Sequence, residues 1–232
     1  MEKNRDNCLL LFIDPVEDSK IRKDLKENFT LEEAKNVYKE LLSIAYRKVK
    51  TYYNAIPIIS YEKTQKNPDL TWLDADDPGF VEYTKKSLED RIRDTFRLAF
   101  FTGVKKAILI DPLTPGISQG QFDEAFSSIN DRTAALGRND DSSFYLLGLT
   151  QVNLKVLDAP GFTFSKSGEI LYERLKRAKL AVFETPKGFA VKDPENLKRW
   201  RSVKKETIQK TSADKKNSLP KNENSSNGEK SE

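Results

Sequence analysis

The chain alternates short, wholly apolar runs with longer stretches in which apolar residues recur every three or four positions. Cys8-Leu9-Leu10-Leu11-Phe12-Ile13 is continuous and closed by Asp14-Pro15, the pattern of a strand buried on both faces. Thr30-Leu31-Glu32-Glu33 then has the spacing of a capping box. Behind it Leu31, Ala34, Tyr38, Leu41, Leu42, Ala45 and Val49 trace one face of a helix packed on a sheet. Ala55-Ile56-Pro57-Ile58-Ile59-Ser60-Tyr61 reads as a second strand. Pro57 donates no ladder bond, so it favours a sheet edge or a strand start. Leu70-Thr71-Trp72-Leu73 predicts a short extra strand.

Leu88, Ile92, Phe96, Ala99 and Phe100 mark the next helix, which Gly103 ends. Ala107-Ile108-Leu109-Ile110 is a third apolar strand, and Ser118 with Gln121 offers another capping box before Phe122, Ala125 and Phe126. Two further strands are expected over 133–137 and 144–149, then a helix over 167–179, a strand over 180–184 and a helix from Pro194 onward. This β-α alternation predicts a doubly wound α/β domain, a mostly parallel sheet with helices on both faces, over residues 1–210. Residues 211–232 are Lys-, Asn- and Ser-rich with almost no apolar side chains, so a disordered tail is expected there.

Composition narrows the chemistry. The 232 residues carry 40 Lys+Arg against 36 Asp+Glu, a balance that does not specify nucleic acid as a partner. There is no histidine, and Cys8 is the only cysteine. Disulfides, thiolate metal sites and histidine catalysis are therefore excluded, leaving carboxylates, Lys, Arg, Tyr and hydroxyls, with a hard cation such as Mg²⁺ as the natural helper. The apolar run at Cys8–Ile13 is too short for a signal-peptide core or a membrane span, so a bacterial-type cytoplasmic protein is expected.

Five ordered segments resemble the bacterial glycosyltransferase-like proteins called rSAM/selenodomain-associated transferase 1, of the GT-A nucleotide-diphospho-sugar transferase superfamily. The first runs from Leu9 to Leu25, where Arg22-Lys23-Asp24-Leu25 stands at the family's Lys-Thr-Arg-Leu. The second, Leu88-Glu89-Asp90-Arg91-Ile92, keeps the arginine of Leu-Gly-x-Arg-Met as Arg91. In the third, Ile108 to Ile117, the family's metal-binding aspartate falls on Leu113, with Asp111 two residues earlier on the same face of a continuing strand. The fourth, Asp141-Ser142-Ser143-Phe144-Tyr145-Leu146-Leu147-Gly148-Leu149, parallels Asp-Gly-Gly-Tyr-Tyr-Leu-Leu-Gly-Leu. In the fifth, Ala190 to Leu197, Lys192 occupies the position of a metal-completing aspartate.

The resemblance implies a nucleotide or nucleotide-sugar ligand and, in an active member, Mg²⁺ or Mn²⁺. It implies phosphate or substrate contacts from Lys20, Arg22, Lys23, Arg91, Ser142 and Ser143, and catalytic roles for Asp141 and Asp111. With Leu113 and Lys192 at the metal positions, Asp111 and Asp193 are the carboxylates left to hold an ion. Asp14, Glu17, Asp18 and Asp24 also cancel much of the positive charge that a phosphate loop requires. Two readings follow: a degenerate, non-catalytic relative serving as a binding or partner module, or an active glycosyl- or nucleotidyl-transferase with a rearranged metal site.

Other features read as structure. Arg199, Arg201, Lys204 and Lys205 form a solvated basic helix end more readily than a nucleic-acid surface, since Trp200 is the only aromatic among them. Asp74, Asp76 and Asp77 read as a solvated loop, Cys8 as a small buried residue, and Tyr52-Tyr53 as cover for the edge of the core.

Overall fold

The structure, a computed structural model, describes residues 3–62, 80–83, 87–158 and 167–204. The strand expected over 70–73, the Asp74–Asp77 cluster, Lys205 and the tail beyond position 210 lie outside these residues. Among the described residues, seven strands form one sheet: β1 (Asn7–Ile13), β2 (Ile56–Glu62), β3 (Phe80–Tyr83), β4 (Lys106–Ile110), β5 (Thr133–Arg138), β6 (Phe144–Thr150) and β7 (Ala181–Glu184). Their spatial order is β3-β2-β1-β4-β6-β5-β7. Only β6 runs against its neighbours; the pairs β1–β2, β1–β4, β2–β3 and β5–β7 are parallel.

Alternation along β1 explains why its residues are apolar on both faces. Leu9, Leu11 and Ile13 join α2 (Leu31–Thr51), α4 (Gln119–Ser128) and the buried Trp200 of α6, over residues 194–204. Cys8, Leu10 and Phe12 face the opposite layer, built from α3 (Leu88–Phe101), a 3-10 segment (Val152–Leu157) and α5 (Ser167–Arg177). Helices therefore cover both faces, as expected of a doubly wound sheet. Burial also pushes the Cys8 thiol pKa up, in keeping with a packing role. Tyr52 is buried edge-on to Phe122 and stacked on Phe126, while Tyr53 lies half exposed. No described helix is long and apolar enough to cross a membrane.

Local signals hold in detail. Thr30 with Glu33 and Ser118 with Gln121 both close as reciprocal capping boxes. Gly103 ends α3 at φ +93°, a backbone region that costs glycine nothing. Pro57 lies near the start of β2, before pairing to β3 begins at Ile59, so its missing N–H costs that ladder no bond. α5 stops at Arg177, shorter than expected, and Lys179 turns the chain at φ +60° into β7. The edge strand β3, the one-turn α1 (Lys23–Lys26) and the 3-10 segment carry no periodic signal and were not expected.

One half-buried lysine fixes the connection after β4. Lys48, near the end of α2, donates to the carbonyls of Pro115 and Ile117, at 2.6 Å for Ile117. Burial lowers its pKa. Lys48→Met strands both carbonyls, and a loss of about 1–3 kcal/mol in urea-denaturation stability is expected.

Candidate active site

The strand order turns at β1 and β4, so the crevice beyond their carboxyl ends is where open α/β sheets place ligands. A small pocket opens there between Phe12, Asp14, Arg22, Asp111, Pro112 and Phe144. β1 delivers Asp14, whose backbone N–H donates 2.8 Å to the buried Tyr38 hydroxyl. The chain then bends on itself, with the N–H groups of Lys20 and Ile21 donating to the Glu17 carbonyl, and sets Arg22 at the head of α1. Asp111 extends the β4–β6 ladder, its N–H donating 2.9 Å to the Tyr145 carbonyl.

Arg22 joins these segments. Its guanidinium donates to Asp111 at 2.6 Å and to both oxygens of Asp24 at 2.8 and 3.2 Å. Burial works against the Arg22 charge, but Asp111 and Asp24 override it and hold the guanidinium pKa well above its ordinary value. Burial likewise pushes the Asp24 carboxyl up, and Arg22 with Lys192 more than reverses this, leaving it below the usual carboxylate range.

A second cation arrives from the segment after β7. Val191 N–H donates 2.8 Å to the Leu113 carbonyl and Asp140 N–H donates 3.0 Å to Gly188, tying residues 188–192 to both neighbouring loops. Only glycine fits at 188, because a Cβ would lie 2.8 Å from the Asn139 side-chain oxygen. The segment thereby places the Lys192 ammonium 2.8 Å from Asp141 and 3.8 Å from Asp24. Asp141 is oriented from its other oxygen, which accepts from the Ser143 N–H at 3.0 Å and from its hydroxyl. Ser143 is held by Asn139, which also bonds Thr114. Burial raises the Asp141 pKa, but the bonds from Lys192 and Ser143 bring it below the ordinary value.

The crevice rim is therefore an alternating chain of charges, Asp111–Arg22–Asp24–Lys192–Asp141. Arg91 adds a third cation beneath it. Its guanidinium donates to Asp14 at 2.6 Å and to the carbonyls of Ile13 and Ser60, and lies over the Phe12 ring. Four carboxylates (Asp14, Asp24, Asp111, Asp141) thus face three cations (Arg22, Arg91, Lys192).

Of the residues singled out from sequence, Arg22, Asp111, Asp141, Ser143 and Lys192 meet at this rim. Lys20 pairs with Glu62, and Lys23 is exposed, 3.9 Å from Glu27. Ser142 turns at φ +63°, a conformation that explains glycine at the matching family position, and its hydroxyl donates 2.8 Å to Glu169. Asp193 caps α6, each carboxylate oxygen accepting 2.8 Å from the backbone or side chain of Asn196. Leu113 is fully buried in the core. Asn139 and Thr114, which support Asp141, were not anticipated; they are ordinary polar residues without a motif. In the basic end, Arg199 pairs with Asp140 and Arg201 and Lys204 pair with Glu40.

These residues do not fit the divalent cation that the resemblance implies. The available oxygens are engaged by an ammonium, a guanidinium and a helix terminus, and an apolar side chain stands at one ligand position. Among the described residues, no group of three or more His, Cys, Asp or Glu side chains is placed to hold a metal.

Comparison with known proteins agrees with the fold. Residues 45–162 match the family model described as "Uncharacterized protein conserved in bacteria (DUF2064)". A crystal structure of a candidate nucleotide-diphospho-sugar transferase from Desulfovibrio desulfuricans G20 is 21% identical, with TM-score 0.69, covering 83% of this chain and 84% of that one. A Methanothermobacter nucleotidyl transferase is 11% identical, with TM-score 0.58, covering 87% and 98%. CMP:2-keto-3-deoxy-manno-octonic acid synthetase, solved with CTP, is 10% identical, with TM-score 0.54, covering 87% and 99%. At these identities the likeness establishes the fold alone. No curated protein matches the chain.

Two outcomes test the charge chain. Arg22→Met leaves buried Asp111 without its guanidinium, and a loss of about 3–5 kcal/mol is expected in urea denaturation. Asp24 and Asp141 have folded pKa values below their unfolded ones, so their contribution is complete above about pH 4 and is lost as pH falls through the folded values. Stability measured from pH 6 downward should fall along that limb, and Asp24→Asn should make the fall shallower.

Proposed function

We propose that this chain, which belongs to the DUF2064 family, is a glycosyltransferase-like protein that holds a nucleotide or nucleotide-sugar without a divalent cation and does not catalyse transfer. In this reading it is a cytoplasmic relative of the rSAM/selenodomain-associated transferase 1 proteins. The observation that carries the proposal is the Lys192 ammonium on Asp141 and Asp24, beside Arg22 on Asp111.

Transfer from a diphosphate donor develops negative charge on the leaving oxygens, and catalysis depends on cations preorganised to meet it. The cations at this rim already face carboxylates at hydrogen-bond distance. A diphosphate arriving there meets cations already matched by carboxylates, which outnumber them by one, and acceleration of its departure is correspondingly weak. The ligand class rests on two supports: the crevice at the turn in strand order, and a fold shared with nucleotidyl transferases, one of them solved with CTP.

The test is a thermal-shift screen of the full chain against nucleotides and nucleotide-sugars, in Mg²⁺, Mn²⁺ or EDTA, with assays for released nucleoside diphosphate and pyrophosphate. Native-state binding raises the melting temperature by mass action. The expected outcome is a nucleotide-induced rise of equal size in EDTA and in metal, with no product released. A metal-dependent rise accompanied by turnover would overturn the proposal in favour of an active glycosyl- or nucleotidyl-transferase with Asp111, Asp141 and Asp193 rearranged around an ion.

A further inference from the structure

We infer that Lys192 is a tethered counter-ion: its ammonium bridges Asp24 and Asp141 from within the chain and thereby closes this rim to divalent cations. The inference rests on the metal-independent reading above and assigns that property to one side chain.

Three separate segments supply the contact: α1 gives Asp24, the turn between β5 and β6 gives Asp141, and the strap after β7 gives Lys192. Each is independently held in place. Arg22 grips Asp24, Ser143 grips Asp141, and the Val191–Leu113 bond fixes the residue before Lys192. The Lys192 side chain is only 15% exposed, so its charge sits in partly dry surroundings between two carboxylates. An oxygen-seeking ion bound there would need those same oxygens at about 2.0–2.6 Å. Ammonium and metal cannot both occupy that space. The tethered cation also has the advantage of permanent local concentration, whereas a free ion must be captured from solution. Removing the ammonium leaves two fixed carboxylates short of a cation, and placing a shorter, acidic side chain at the same position sets a third carboxylate beside the gap between them.

The experiment uses the full chain without nucleotide, comparing the parent with Lys192→Met, Lys192→Asp and Lys192→Glu, and with Lys192→Asp combined with Asp141→Asn. Melting temperatures are read in EDTA, Mg²⁺ and Mn²⁺. The two acidic variants differ in reach, so a poor fit of one does not decide the result. Metal should leave the parent unmoved. Lys192→Met should melt roughly 2–8 °C lower and also ignore metal. At least one acidic variant should melt lower in EDTA and recover roughly 5–10 °C at metal concentrations near 100-fold above Kd. Asp141→Asn should abolish that recovery.

A metal-induced rise in the parent that Asp141→Asn removes would overturn the inference. So would two folded acidic variants that both ignore metal. If neither acidic variant folds, Lys192→Met decides, because an unchanged melting temperature there sinks the bridging role. Metal-free sugar or nucleotidyl transfer by the parent would overturn the proposed function and leave this inference standing.

Discussion

A guanidinium buried at the end of a sheet must be compensated, and at Arg22 that requirement organises the crevice. Removing such a charge from water costs several kcal/mol, which close carboxylates can offset only with good geometry. Asp111 supplies one from β4 and Asp24 supplies the other from α1. The loop after β1 is consequently fastened to the end of β4 across the turn in strand order. With Asp24 fixed there, its second face is available to Lys192, which in turn reaches Asp141. Ser143 holds Asp141 and the Val191–Leu113 bond holds the segment of Lys192, so the charges meet from separately anchored segments. Breaking the chain at a link leaves a buried or half-buried ion short of a partner.

The consequence for chemistry follows from the valence and tethering of the cations. A divalent ion can exchange, carries two charges, and accepts donor oxygens and phosphate oxygens in one coordination shell. An ammonium on a lysine stem carries one charge, offers three donors and stays with the chain. Asp24 and Asp141 satisfy Lys192, Asp111 satisfies Arg22, and Asp193 caps a helix. The crevice keeps the location of a ligand site on an α/β sheet, while each of its cations is engaged by carboxylates of the chain.

Much of the scaffold was legible in the sequence because it rests on local or strictly periodic physics. Continuous apolar runs marked β1, β4 and β6, which are buried throughout or nearly so, and both capping boxes close as their spacing required. The elements that escaped are those without a period. β3 is four residues at a sheet edge, α1 is a single turn, and the 3-10 segment is held by packing. For the site, the resemblance to the transferase family brought Arg22, Asp111, Asp141 and Lys192 into view one at a time. Their pairing was not legible, since Arg22 and Asp111 stand 89 residues apart and neither neighbourhood encodes the other. Asp193 was the reverse case. An Asp immediately before Pro194-Glu195 is a local helix-start signal, and capping is the role the structure gives it.

The same geometry bears on how the aspartates themselves should be read. Asp141 precedes a strand that resembles a catalytic segment, and taken alone it suggests chemistry. Yet an aspartate 2.8 Å from an ammonium is demanded by that ammonium, whether or not a substrate ever arrives. The presence of Asp24, Asp111 and Asp141 therefore does not discriminate between catalyst and scaffold. Position 192, whose ammonium meets both Asp24 and Asp141, lies outside the stretch 45–162 matched by the family model. The cation at that position engages Asp24 and Asp141, while Asp111 is engaged by Arg22, so all three carboxylates have structural partners. Among the described residues, Lys192 is thus the one cation of the rim that joins Asp141 to the other charges, since Arg22 holds Asp24 and Asp111 while neutral Ser143 holds the far oxygen of Asp141.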